Sequence, residues 1–185
     1  VKVADCRFNA EQIEKEIIIA DGKGVQIIAF PELCITGYTC GDLFAQQLLL
    51  EEAEIGLIRI LNDTRQMDII SILGMPVACN GALLNVAVVI QKGKVLGVIP
   101  KTYLPDYKEF YEKRWFTSAC EVHESSIRLC GQVVPMGRNL LFETADVTFG
   151  VEICEDLWAP IPPSSVLALQ GAELLFNLSA DTEAI

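Results

Sequence analysis

Helical spacing governs the first third of the chain and hairpins the middle, and that switch narrows the possible folds more than any other feature. Residues 9–20 place Ile13, Ile17 and Ala20 on one helical face, with Asn9 as N-cap and Gly22 and Gly24 as stop signals. Residues 25–30 then read as a short buried strand closed by Pro31, residues 43–61 as a long helix, and 69–77 as another strand. From there the pattern changes. Residues 83–90 and 94–99 flank Gln91-Lys92-Gly93 as a β-hairpin, and 139–143 and 147–153 flank Thr144-Ala145-Asp146 as a second. A loop with Pro160, Pro162 and Pro163 leads into a helix at 164–170, with Pro163 near its first turn, and a last strand covers 173–178. Early helix–strand alternation followed by hairpins fits an α/β protein built as layers of helix and mixed sheet.

Composition bounds the partners. The chain has 185 residues, 51% of them hydrophobic, enough for one sizeable core and one domain. A formal net charge of -11 lacks the basic stripe of a nucleic-acid binder and the polybasic patch of a membrane binder. No apolar run reaches the roughly 20 residues needed to span a bilayer, and the opening Val1 to Cys6 is no signal peptide. The seven cysteines are odd in number and lack a CxxC pair, so free thiols in a reducing, cytoplasmic setting are expected. With no initiator Met and no tail signal at Ile185, the expectation is a piece of a longer product.

Three strands end in a reactive side chain: Phe30-Pro31 leads to Glu32, Ile99-Pro100 to Lys101, and Glu152-Ile153 to Cys154. Taken singly, these read as a turn acid, a surface lysine and a core thiol. Jointly they stand where a rigid sheet aims groups into a crevice. A thiol nucleophile, a carboxylate to take its proton and an ammonium to offset developing negative charge form a set able to attack an amide. A histidine-based scheme would have to use His123, the only histidine, which lies in the polar stretch Glu121-Val122-His123-Glu124-Ser125. No HExxH, paired CxxC, P-loop or GxGxxG is present, so no metal site is expected.

The flanking residues carry a family resemblance. Phe30-Pro31-Glu32-Leu33-Cys34-Ile35-Thr36-Gly37-Tyr38, residues 93–105 around Pro100-Lys101, and Phe149-Gly150-Val151-Glu152-Ile153-Cys154-Glu155-Asp156 resemble the glutamate, lysine and nucleophile segments of the nitrilase superfamily of carbon–nitrogen hydrolases, in the same order. Residues 171–180 resemble the strand after the nucleophile. Cys154 is followed by Glu155-Asp156-Leu157-Trp158-Ala159-Pro160, and residues 107–116 follow the lysine. Both stretches resemble the glutaminase domains of glutamine-dependent NAD synthetases more than the stand-alone members.

The resemblance implies a four-layer αββα sandwich, incomplete at both ends, with residues 1–185 as a partial glutamine amidohydrolase domain. It implies Glu32 as general base, Cys154 as nucleophile forming a thioester, and Lys101 with the Glu155 N–H at the oxyanion. Tyr107 and Tyr38 would line the glutamine pocket, and Glu109 would be the second acidic residue near the lysine. Asp181 stands where the family has a serine that contacts glutamine. Glu152, Glu155 and Asp156 would crowd Cys154 and disfavour its thiolate, which makes Lys101 necessary. No cofactor is implied for this domain. ATP and magnesium would serve a synthetase domain of the same polypeptide, absent from this sequence, and unpaired sheet edges imply a homo-oligomer. A stand-alone amidase or carbamoylase of the same fold is the alternative.

Overall fold

The computed structural model describes residues 1–181, and residues 182–185 lie outside that description. Helix α1 (Cys6–Gly22) starts a turn earlier than Asn9 suggested, because Asp5 takes the cap: its Oδ1 accepts the Phe8 N–H at 3.1 Å. Asn9 is buried inside the helix, where its amide donates to Lys2 O at 2.7 Å and Ile35 O at 2.9 Å and so ties two loops together. The stripe Cys6, Ala10, Ile13, Ile17 and Ala20 faces inward. The expected helix at 43–61 is two elements, a 3₁₀ turn (Gly41–Ala45) and helix α2 (Gln47–Asp63), separated by Gln46 in an extended conformation. The two long helices meet closely at Gly56, where an added Cβ would lie 3.3 Å from the Ala10 Cβ.

Strands β1 (Ile27–Ala29), β2 (Ile70–Cys79), β3 (Ala82–Gln91) and β4 (Lys94–Pro100) form one sheet in that order. β1 runs parallel to β2, and β2–β3 and β3–β4 are antiparallel, the latter being the expected hairpin. β1 and β4 therefore point the same way and deliver their last residues to the same end. A second sheet holds β7 (Leu141–Glu143), β8 (Thr148–Ile153) and β9 (Leu174–Leu178), with β7–β8 antiparallel and β8–β9 parallel. Between them in sequence lies a hairpin that periodicity did not reveal, β5 (Ser126–Leu129) and β6 (Gln132–Pro135), turning at Cys130-Gly131 with positive φ at both residues. It adjoins β4 through Gly137 N–H to Val98 O at 3.0 Å.

Burial defines four layers. Ile13, Ile17, Leu57 and Ile60 of the helices pack with Leu73, Met75, Val86 and Val88 on one face of the first sheet. On its other face Ile70, Ile72, Ala87, Val89 and Ile99 pack with Phe142, Phe149, Val151, Ile153 and Leu178 of the second sheet. Helix α3 (Pro163–Leu169) covers the far side of the second sheet, with Leu167 set against Gly150. The order is helix, sheet, sheet, helix: the αββα sandwich. β3 is buried on both faces, which is why residues 86–90 read as a continuous apolar run instead of an alternating one.

Gly74 of β2 lets the chain after β1 pass over the sheet. A Cβ there would lie 2.3 Å from Leu33 N, 2.7 Å from Pro31 O and 2.8 Å from the Glu32 carbonyl carbon. Since these are backbone atoms, Gly74→Ala should lower the unfolding free energy by about 1–3 kcal/mol or more, read from the urea midpoint. Gly22→Ala, where the added carbon meets nothing within 4 Å, should leave the midpoint unchanged or raise it.

Candidate active site

Glu32 sits in a tight turn just past β1. Leu33 adopts φ 50°, Gly37 N–H bonds Leu33 O at 2.7 Å, and Ile35 N–H bonds Gly74 O at 3.2 Å. This pins the glutamate inside the molecule, 2% exposed. Lys101 directly follows β4 and is 1% exposed. Its Nζ lies 2.7 Å from Glu32 Oε1 and 2.6 Å from Glu112 Oε1. Asn85 of β3 donates from Nδ2 to Glu32 Oε1 at 2.7 Å and to Glu112 Oε2 at 3.5 Å. The Tyr38 hydroxyl donates to Glu112 Oε1 at 2.8 Å.

The acidic neighbour of Lys101 is not the expected one. The carboxylate beside Lys101 is Glu112, whereas Glu109 is exposed. Glu112 is held by its own N–H to Pro105 O at 3.1 Å, and by the following Phe116, whose ring lies 4.9 Å from Phe44. The one sequence hint was its place just before Trp115-Phe116, which anchor that loop. Tyr38 points its hydroxyl into the charge cluster as a donor to Glu112, so it holds the glutamate in place. Burial disfavours the Lys101 ammonium, but Glu32 and Glu112 outweigh it and hold its pKa above the ordinary value. Burial likewise pushes Glu112 above the usual carboxylate range, against the pull of Lys101.

Cys154 follows β8 and adopts φ 45°, a left-handed conformation that costs a non-glycine residue and must be held by its surroundings. Two residues do this. Asp156, 1% exposed, accepts Ile153 N–H on Oδ2 at 3.1 Å and Thr102 and Tyr103 N–H on Oδ1 at 3.0 and 2.7 Å. It thereby fixes the cysteine turn to the two residues after Lys101. Its burial outweighs these bonds and raises its carboxyl to about 6. On the other side Asn177 of β9 donates to the Cys154 carbonyl and to Glu152 Oε1, both at 3.3 Å. Glu152 spends its other oxygen on Ser164 N–H in the first turn of α3, at 2.9 Å. Sequence reasoning took Glu152 and Asp156 only as nearby charges. In the structure both are committed to backbone donors.

The Cys154 thiol is pushed up to about 11, first by burial and then by Glu32. Lys101, the Ser179 hydroxyl and the Ala180 N–H pull it back. The carboxylate that opposes its ionisation is therefore the glutamate across the site. Ala180 N–H also bonds Glu32 Oε2 at 3.3 Å. Tyr107 is exposed, and its hydroxyl donates to Glu155 Oε2 at 2.8 Å. The two line a cleft of about 690 Å³ together with Thr102, Tyr103, Phe116 and Ser118. His123 is exposed and its N–H bonds Glu124. All seven cysteines are free, with Cys6, Cys34 and Cys40 buried. Among the described residues no group of His, Cys, Asp or Glu is arranged to hold a metal ion, and no helix is long and apolar enough to cross a membrane.

A helix–sheet–sheet–helix sandwich of this kind is the fold of the nitrilase superfamily. The chain belongs to the carbon-nitrogen hydrolase family, whose sequence profile matches residues 2–184. Among similar proteins, the glutamine-dependent NAD(+) synthetase of Mycobacterium tuberculosis is 37% identical over 180 residues, 96% of this chain and 26% of that protein. That of Aquifex aeolicus is 35% identical over 178 residues, 96% of this chain and 28% of that protein. The chain thus spans about a quarter of the length of these curated relatives. The crystal structure of the Cytophaga hutchinsonii glutamine-dependent NAD(+) synthetase superposes with a TM-score of 0.85 at 32% identity, covering 99% of this chain and 29% of that one. An amidase from Nesterenkonia sp. shares the fold, with a TM-score of 0.75 at 18% identity over 99% of this chain and 62% of its own.

A thiol held near 11 is uncharged at neutral pH. Alkylation of Cys154 by iodoacetamide should accordingly rise about tenfold per pH unit from neutrality towards pH 10, with no plateau below pH 8 of the sort an activated thiolate gives. Peptide mass spectrometry separates it from the exposed Cys120.

Proposed function

We propose that this chain is the glutamine-hydrolysing domain of a glutamine-dependent NAD synthetase. The observation that carries the reading is the sealed contact of Lys101 with Glu32 and Glu112, at 2.7 and 2.6 Å, beside a strand-end cysteine held uncharged. Glu32 takes the Cys154 proton as sulfur attacks the side-chain amide carbon of glutamine. Lys101 and the backbone N–H of Glu155 hold the oxygen that becomes negative. The C–N bond then breaks, and ammonia leaves with the proton from Glu32. Water, deprotonated by Glu32, hydrolyses the thioester to glutamate. Glu155, held by the Tyr107 hydroxyl at the cleft, offers an acceptor for the α-ammonium of glutamine and so favours a free amino acid over a simple amide. The ammonia supplies a synthetase domain of the same polypeptide, which uses ATP and magnesium.

The reading extends to the cell. Free thiols throughout and an acidic surface suit a cytoplasmic protein. Exposed Leu169, Leu174, Leu175 and Trp158 support self-association.

Ammonia release from glutamine, measured with the purified protein, tests the assignment, with hydrolysis of simple amides or carbamoyl compounds in place of glutamine as the result that overturns it. Cys154→Ala should abolish release while leaving the thermal midpoint nearly unchanged. Glu32→Gln should slow turnover by roughly 10²–10⁴. It should also make Cys154 easier to ionise, since a negative neighbour is gone. Turnover falling while alkylation rises is thus the expected signature.

Lys101→Met should behave differently. It strands two buried carboxylates without their cation, which costs about 3–5 kcal/mol of stability, in addition to the roughly 10²–10³ in rate of a lost oxyanion donor. Urea denaturation beside the turnover assay separates the two effects.

A further inference from the structure

The two carboxylate oxygens of Glu32 stand in different surroundings. Oε1 receives the Lys101 ammonium at 2.7 Å and the Asn85 amide at 2.7 Å. Oε2 receives the Ala180 N–H at 3.3 Å. Leu178 of β9 pairs with Ile153 of β8, so Ala180 and Cys154 lie past the ends of adjacent parallel strands. Oε2 is therefore the oxygen on the nucleophile's side. We propose that Asn85 is a positioning residue that commits Glu32 Oε1 to Lys101 and so leaves Oε2 to receive the Cys154 proton. This rests on the hydrolytic reading above and adds to it a residue that acts through Glu32.

The orientation of Asn85 is fixed by its neighbours. It is 1% exposed, and its own carbonyl accepts the Lys101 N–H at 2.9 Å, which ties the strand carrying it to the start of the lysine loop. Its Nδ2 faces both carboxylates, while its Oδ1 accepts no hydrogen bond from any described residue. Turning the amide over would aim that oxygen at two anions. The side chain thus keeps an unpaired acceptor in order to present both of its N–H groups to Glu32 and Glu112. A buried amide normally satisfies both ends, so the carboxylates set this arrangement.

The electrostatic role is equally specific. Two carboxylates share one ammonium, and the groups facing them are Lys101, Tyr38, Asn85, the Ala180 N–H and the Cys154 thiol. Donors to an ionised carboxylate favour its charged form. Without Asn85 the ionised form of both carboxylates loses a donor and is less favoured, and a protonated Glu32 cannot accept a proton from Cys154.

The test compares Asn85→Leu and Asn85→Asp with the parent in the purified protein, reading kcat and KM for ammonia release over roughly pH 6–9, beside ¹³C NMR titration of the glutamate carboxyls. Asn85→Leu should lower kcat by about 10- to 100-fold, a part of what a positioned general base contributes, with KM nearly unchanged. Its kcat relative to the parent should recover as pH rises and the buried pair loses its extra proton. Asn85→Asp should show the opposite slope: protonated, it donates one hydrogen bond, and activity falls as that proton leaves with rising pH. Opposite slopes support the proposal. Ratios flat in pH, or effects confined to KM, overturn it. If the Leu protein does not fold, the isosteric Asp variant decides by the sign of its slope. If the parent releases no ammonia, the glutaminase reading fails, and the carboxyl titration still decides for Asn85: a buried pair that titrates in Asn85→Leu as in the parent overturns the proposal.

Discussion

One ammonium between two carboxylates organises this molecule. Lys101 is almost wholly buried, and a buried charge survives only when matched and hydrogen-bonded. Glu32 and Glu112 match it, and Asn85 and Tyr38 supply the remaining donors. These residues come from the end of β4, the turn after β1, the loop after Lys101, the middle of β3 and the segment past the Glu32 turn. The cluster therefore staples together distant parts of the chain. Burial and Glu32, against the pull of Lys101, keep the cysteine beside it protonated.

Strand direction does the coarse placement and backbone exceptions the fine placement. β1 and β4 point the same way because two antiparallel steps separate β4 from β2. That alone brings Glu32 and Lys101 to one end of the first sheet. The last few ångströms depend on positions where ordinary residues or conformations fail. Gly74 admits the Pro31–Leu33 backbone, and Leu33 and Cys154 take positive φ. Such conformations persist only when their surroundings over-determine them. Here Asp156 and Asn177 clamp the cysteine turn from opposite sides.

Legibility in the sequence follows the same division. Hairpins, buried strands and strand-end residues could be read because they depend on local periodicity and on proline and glycine. Glu32, Lys101 and Cys154 stand where that reading put them, with Glu32 and Lys101 in direct contact. What failed depended on contacts between distant segments. Asn9 looked like a cap, but Asp5 one turn earlier is free for that task while Asn9 is needed by Lys2 and Ile35. Glu109 and Glu112 look alike locally; the Glu112 N–H bond to Pro105 O and the anchoring of Phe116 against Phe44 turn the second inward. The β5–β6 hairpin escaped because four-residue strands give too few alternations to register.

Asp156 shows most clearly why the site is not additive in its parts. In sequence it is a negative charge two residues from the nucleophile, and proximity suggests that it opposes the thiolate. In three dimensions its oxygens are filled by the Ile153, Thr102 and Tyr103 N–H groups, so its charge is spent on aligning two loops. Glu152 is diverted in the same way to α3. Once both are occupied, the field at sulfur is set by burial, Glu32 and Lys101, and two of these are the groups that chemistry there would use. In the proposed hydrolysis, the carboxylate that helps hold the thiol protonated at rest is also the base that serves when sulfur attacks. Under that proposal sulfur ionises only as its proton moves to Glu32, so an empty site exposes a thiol instead of a reactive thiolate.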